Sequence, residues 1–143
     1  MTVLQAAKSG ATLRVESDLD SRLAANLEKV REIAELLSRY QMRTSLRLVP
    51  FGELQRQIVL SVPAPLRVVI YRRMMLRIAE RIARDARARA LVTGESIGQV
   101  ASQTLDNMAG IQQATRQAIL RPLVGMDKQE IIDQARRIGT FDI

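Results

Sequence analysis

Cysteine, histidine and tryptophan are absent from this 143-residue chain, and aromatic residues make up only 3% of it. Without cysteine the chain itself holds no disulfide, zinc–thiolate site, persulfide or thiol nucleophile. Without histidine it lacks the commonest general base and metal ligand, and no metal site is expected. The aromatic residues Tyr40, Phe51, Tyr71 and Phe141 are too few for a platform on which single-stranded bases stack. No run approaches the ~20 apolar residues that cross a bilayer. Residues 1–10 lack the basic stretch and apolar run of a secretory signal. A cytoplasmic location with no membrane contact is the expectation.

What is present is an ordinary globular composition, 47% apolar and 26% charged. The length suits one domain with a single core. The net charge of +7 is unevenly spread, because residues 65–90 carry eight Lys/Arg against Glu80 and Asp85. A local positive field of this kind points to a polyanion: nucleic acid, nucleotide phosphates or an anionic membrane surface.

Short strands alternate with amphipathic helices. Residues 12–16 (TLRVE) alternate weakly as a strand, and Ser17, Asp18 and Asp20 offer caps for a helix over 21–40. Leu23, Leu27, Val30, Ile33 and Leu37 keep helical spacing in it. A strand is predicted at 45–49, a short helix at 51–60, and a break at the prolines Pro63 and Pro65. The next helix, over 66–88, places Tyr71, Met75, Ile78, Ile82 and Ala86 on one face and Arg73, Arg77, Arg84 and Arg87 on another. A buried strand at 90–93, a helix over 98–108, a strand at 118–120 and a helix over 128–138 closed by Gly139 complete the chain. This alternation predicts an α/β layer fold with a parallel sheet. Such folds bind ligands beyond the carboxyl ends of the strands.

Two strand-to-helix turns are therefore candidates. In the first, Thr93-Gly94-Glu95-Ser96-Ile97-Gly98-Gln99, glycines permit a sharp turn and close approach of a ligand, and helix-start amides suit a phosphate. Gln99 and Gln103 lie one helical turn apart, spaced to read a base or ribose edge. A tight turn with Ser96 as a cap accounts for the same residues without a ligand. In the second turn, Asp127 and Glu130 make a capping box, which explains both acids structurally. Lys128 fits less comfortably: a cation in a first helical turn opposes the dipole, by about 0.3–1 kcal/mol, unless an anion sits there too. A lysine extended into water is the alternative. The basic helix, without interleaved aromatics, favours phosphate contacts over base stacking, with Arg73, Arg77 and Arg84 as candidates for RNA.

The stretch ALVTGESIGQVASQTL at 90–105 closely resembles the tRNA 4-thiouridine synthetases, the tRNA sulfurtransferases also linked to thiamine thiazole sulfur. So do LRPLVGMDK at 120–128, Glu130-Ile131-Ile132, Ile138-Gly139-Thr140, YRRMMLR at 71–77 and Val49-Pro50-Phe51. The likeness runs from about Leu23 to the end of the chain. It implies a three-layer adenine nucleotide α-hydrolase-like domain of the PP-loop type. Such a domain adenylates uridine 8 of tRNA with ATP, releases pyrophosphate, and receives sulfur from a cysteine persulfide. By this resemblance Arg72, Gly94 and Gln103 contact ATP, with Mg2+ arriving on the nucleotide, and Lys128 belongs to the adenylation site.

The sequence also departs from the family pattern. The Ser-Gly-Gly-x-Asp-Ser loop does not occur in it; residues 16–21, Glu-Ser-Asp-Leu-Asp-Ser, contain no glycine. The resemblance makes residues 1–143 a single partial PP-loop domain, incomplete at its N-terminus, without the preceding RNA-binding domain, a rhodanese-like domain or persulfide cysteines. Residues 1–10 would correspond to the end of the first helix. The central strand of a sheet ordered 3-2-1-4-5 would be lacking. Direct pairing of flanking strands, entry of residues 1–7 as a strand, a homo-oligomer or a second polypeptide would each close that gap. The expected function is the adenylation half of a tRNA sulfurtransferase, inactive by itself. The alternative is a non-catalytic nucleotide- or RNA-binding or oligomerisation module, or a remnant stable only as an assembly.

Overall fold

The computed structural model describes residues 3–5, 21–41, 44–97 and 104–143. They form two compact units, residues 1–48 with 132–143, and residues 49–131. Each is α/β in character.

In the first unit β1 (Val3–Gln5) pairs antiparallel with β2 (Ser45–Arg47), Leu4 opposite Leu46. Residues 3–5 are thus a strand rather than the end of a helix, because their backbone groups are taken up by the ladder with β2. The strand expected at 45–49 stops at Arg47, and Leu48 and Val49 are exposed. Helix α1 (Ser21–Leu37) ends three residues before Tyr40, where Ser38 Oγ donates to the Glu35 carbonyl at 2.6 Å. That side-chain bond competes with helix continuation. Ala34 is its buried contact and Leu27, Val30, Ile33 and Leu37 are half-buried, the periodicity the sequence implies. Gly139 adopts φ +82°, the left-handed conformation that glycine alone adopts without penalty, and closes α5 (Lys128–Ile138). Beyond it Arg136 stacks 4.6 Å over the Phe141 ring, and Lys29 Nζ donates to the Ile143 carbonyl at 2.7 Å. The strand expected at 12–16 and the caps Ser17, Asp18 and Asp20 lie outside the described residues.

The second unit begins with α2 (Gly52–Ser61) and α3 (Ala64–Asp85). α3 starts two residues earlier than proline spacing suggests, with Pro63 as N-cap and Pro65 in the first turn. Proline is well suited to that position, where its missing N–H would have no helical partner. Phe51 meets Tyr71 edge to face, centroids 6.2 Å apart, and Arg67 donates to the Val59 and Val62 carbonyls at 3.0 and 2.9 Å. These bonds satisfy carbonyls at the end of α2.

The buried stripe of α3 is Leu76, Ala79 and Ala83, not the expected face of Tyr71, Met75, Ile78, Ile82 and Ala86, whose side chains are half-buried. Small alanines admit closer approach of neighbouring elements, so the tightest contact follows them. The rest of this core is Ile58, Leu91, Met108, Ile111 and Ala114.

Strands β3 (Ala90–Val92) and β4 (Ala118–Leu120) are parallel, Leu91 opposite Ile119, as the predicted fold class requires. Between them lies α4 (Leu105–Gln112). A helix continuous over 98–108 is not found, because Thr104 is extended (φ −73°, ψ 155°) and caps α4 with its side chain. α4 instead continues past Met108 and carries Gly110 inside it.

Candidate functional site

The carboxyl ends of β3 and β4 lie side by side, and so do the loops that follow them. Thr93 N–H donates to the Leu120 carbonyl at 3.0 Å, extending the ladder by one residue. Ile97 N–H then donates to the Val124 carbonyl at 3.1 Å, and Ser96 Oγ to the Met126 carbonyl at 2.8 Å. The two turns singled out by sequence are therefore one structure. Ser96 spends its hydroxyl on this cross-link and is 3% exposed.

At the centre stands Glu95, whose residue is 9% exposed. Its Oε1 accepts from Arg72 NH1 at 3.0 Å. Its Oε2 accepts from Arg121 Nε at 2.7 Å and from Thr93 Oγ1 at 3.0 Å. Arg121 also donates from NH1 to Gln112 Oε1 at 3.1 Å, while its buried NH2 has no partner among the described residues. One carboxylate thus joins α3, the loop after β3 and the loop after β4. The two guanidiniums and one carboxylate leave a net positive charge, largely out of water, where an anion would be held more strongly than at the surface.

Glu95 and Arg121 were not singled out by sequence, yet a signal for an acid partner existed. Arg72 falls four residues before Leu76, on the helical stripe that continues through Ala79 and Ala83. A cation on a core-facing stripe requires an acid partner.

Gly94 lies in the same loop and is exposed. Its φ is not in the left-handed region, and a Cβ there would come no closer than 4.0 Å to Leu123 Cδ1. Neither backbone conformation nor packing within the described residues demands glycine. What the missing side chain leaves is room beside the loop for something else to approach.

Lys128, the first residue of α5, is exposed and lies two residues beyond the Met126 carbonyl that Ser96 engages. The capping box forms as the sequence predicts: Glu130 N–H donates to Asp127 Oδ1 at 2.9 Å, and Asp127 N–H to Glu130 Oε2 at 2.8 Å. Gly98, Gln99 and Gln103 lie outside the described residues. Of the three arginines considered for RNA, Arg73 is half-buried and donates to the Gly110 carbonyl, tying α3 to α4. Arg77 and Arg84 are exposed on α3. Among the described residues no group of acidic side chains is arranged to hold a metal ion, and no helix is long and apolar enough to cross a membrane.

Residues 15–143 match the family described as Thiamine biosynthesis protein (ThiI). Over 117 residues the chain is 55% identical to the probable tRNA sulfurtransferase of Thermus thermophilus, covering 82% of this chain and 29% of that protein. Among solved structures, that of a 4-thiouridine synthetase–RNA complex with bound ATP superposes with a TM-score of 0.79 at 43% identity. The superposition covers 81% of this chain and 31% of that one. The chain therefore spans about three-tenths of the length of these relatives. The likeness in fold carries with it the parallel-sheet, PP-loop class expected from the sequence.

Proposed function

This chain belongs to the Thiamine biosynthesis protein (ThiI) family, and on that premise we propose that it supplies the ATP-binding face of a tRNA sulfurtransferase adenylation domain. Arg72, Gly94 and Gln103 bind the nucleotide, with Mg2+ accompanying its phosphates. Lys128 serves the adenylation step, in which ATP supplies the adenylate that activates a tRNA uridine for sulfur transfer.

The observation that carries this reading is the 3.0 Å contact of Arg72 with Glu95, the residue after Gly94. It brings a guanidinium from α3 to a glycine whose side-chain space is open, at the carboxyl ends of parallel strands. That is where α/β folds receive nucleotides. Arg121 NH2, without a partner among the described residues, adds a further buried donor beside the same carboxylate, consistent with an anionic ligand. Arg72 contributes charge and directed hydrogen bonds to the phosphates, and Gly94 lets the backbone approach them. Lys128 adds positive charge at the start of α5, where the helix dipole also favours an anion.

The tRNA is the macromolecular partner in this reading. Arg77 and Arg84 support it, being exposed, without partners among the described residues, and about 10 Å apart along α3 by helical rise. Val92 and Leu120, at the ends of the parallel strands, are 68% and 56% exposed, which supports a further polypeptide or a second copy against this sheet. The chain does not itself contain the Ser-Gly-Gly-x-Asp-Ser sequence that cradles phosphates in the family it resembles. Catalysis by these residues alone is therefore not expected.

Titration of the purified chain with ATP, followed by calorimetry, tests the proposal. Saturable binding that Arg72→Ala weakens at least tenfold, with circular dichroism unchanged, is the expected result. No binding of ATP or AMP, together with salt-sensitive binding of tRNA, would replace it with a non-catalytic RNA-binding module.

A further inference from the structure

Arg72 is unusual in being a cation on the core-facing stripe of α3, in line with Leu76, Ala79 and Ala83. Its side chain is 26% exposed, that of Arg121 16%, and that of the Glu95 between them 11%. The three groups are not equivalent. Arg121 is held by Glu95 on one side and Gln112 on the other, whereas Arg72 commits one terminal nitrogen to Glu95. Arg72 is the open member of the set. Glu95 in turn is fixed by Thr93, whose hydroxyl donates to the oxygen that also receives Arg121. Its other oxygen has Arg72 as its one partner among the described residues.

Two guanidiniums sharing a part-buried site repel one another unless an anion lies between them. Without the carboxylate, the more exposed arginine relieves that repulsion by turning to water. A long side chain free in water gives up rotamer entropy when a ligand immobilises it, and affinity falls by that amount. With the carboxylate in place, the guanidinium is already held at the Gly94 loop, its remaining donors without partners among the described residues.

We propose that Glu95 is a positioning residue: it acts through Arg72, holding that guanidinium in the orientation in which it receives the phosphates of the bound nucleotide. The inference rests on the reading that this site takes ATP. Glu95 itself makes no contact with the ligand in this account, and its negative charge opposes the phosphates. Its contribution is to orientation, and it outweighs that repulsion because Arg121 already offsets the carboxylate charge.

A double-mutant cycle in ATP affinity separates this role from a structural one. Glu95→Gln keeps the shape and removes the charge, and should weaken ATP binding roughly tenfold in the otherwise unaltered chain. In the Arg72→Ala background the same substitution should change affinity less than about twofold, because the group it acts through is gone. Equal losses in both backgrounds would mean that Glu95 supports only the fold, and would overturn the inference. A gain in affinity on Glu95→Gln would overturn it too, since the carboxylate would then merely oppose the ligand. If Glu95→Gln does not fold, Thr93→Val provides the same cycle. It removes the hydroxyl that orients the carboxylate and keeps every charge, with a loss of about threefold expected only where Arg72 is present. Failure of the unaltered chain to bind ATP would sink the nucleotide reading and this inference together. Binding by the unaltered chain with no coupling between Glu95 and Arg72 would sink this inference alone.

Discussion

Ser96 Oγ donates a 2.8 Å hydrogen bond to the carbonyl of Met126, thirty residues further along the chain. The bond is part-buried, and it fastens the loop after β3 to the loop that leads into α5. Ser96→Ala leaves that carbonyl without this donor in a part-buried site. A loss of about 1–2 kcal/mol in unfolding free energy is expected, measured by urea denaturation. A change within ±0.3 kcal/mol would show that water or a backbone shift replaces the bond.

Gly94→Ala should separate folding from binding. The added methyl meets nothing closer than 4.0 Å, and the backbone is not left-handed, so the fold has no reason to reject it. Reduced freedom of the unfolded chain should raise stability by about 0.4–1 kcal/mol. ATP affinity should nevertheless drop by an order of magnitude or more, because the methyl occupies the space beside the loop. Unchanged affinity in calorimetry would remove Gly94 from the site.

Arg87 follows the end of α3 with φ 57°, a left-handed conformation in a residue with a side chain. It makes the turn that lets Ala88 N–H donate to the Ala83 carbonyl at 2.8 Å. Glycine takes this position in many helix ends at no steric cost. Arg87→Gly is expected to raise stability by up to about 1 kcal/mol in thermal unfolding. A lower melting temperature would show that the arginine side chain contributes packing that outweighs the backbone strain.

The exposed arginines of α3 should act on RNA and leave the nucleotide alone. Replacing both Arg77 and Arg84 by glutamine should reduce the slope of log affinity for tRNA against log salt by about 1.5, close to two phosphate contacts. ATP affinity should stay within twofold, since neither residue touches the Glu95 cluster. An unaltered salt slope would assign RNA contact to another surface.

Several elements were readable from residues alone. β4 and α5 take the predicted limits, and the Asp127–Glu130 capping box and the Gly139 terminus form as expected. These features depend on groups three or four positions apart and on the allowed dihedrals of one residue. They are decided before the chain closes on itself. Helix ends without such markers were less secure. α3 begins earlier than Pro65 suggests, and α4 starts at Leu105, where the Thr104 hydroxyl caps it by accepting from Asn107 N–H.

The candidate site divides along the same line. Arg72, Gly94 and Lys128 were picked out by residue type, local pattern and resemblance. Glu95 and Arg121 each lie within one of the matching motifs, but nothing in the local sequence assigns either a role. Arg72 and Arg121 stand 23 and 26 residues away from Glu95, and no local spacing links them. Only the parallel pairing of β3 with β4, and the turn of α3 that faces its core, brings the three together. The reason is one of range. Capping, glycine conformation and helical periodicity act over a few residues, whereas an ion pair acts through space, and its members are known only once the chain has brought them within about 3 Å.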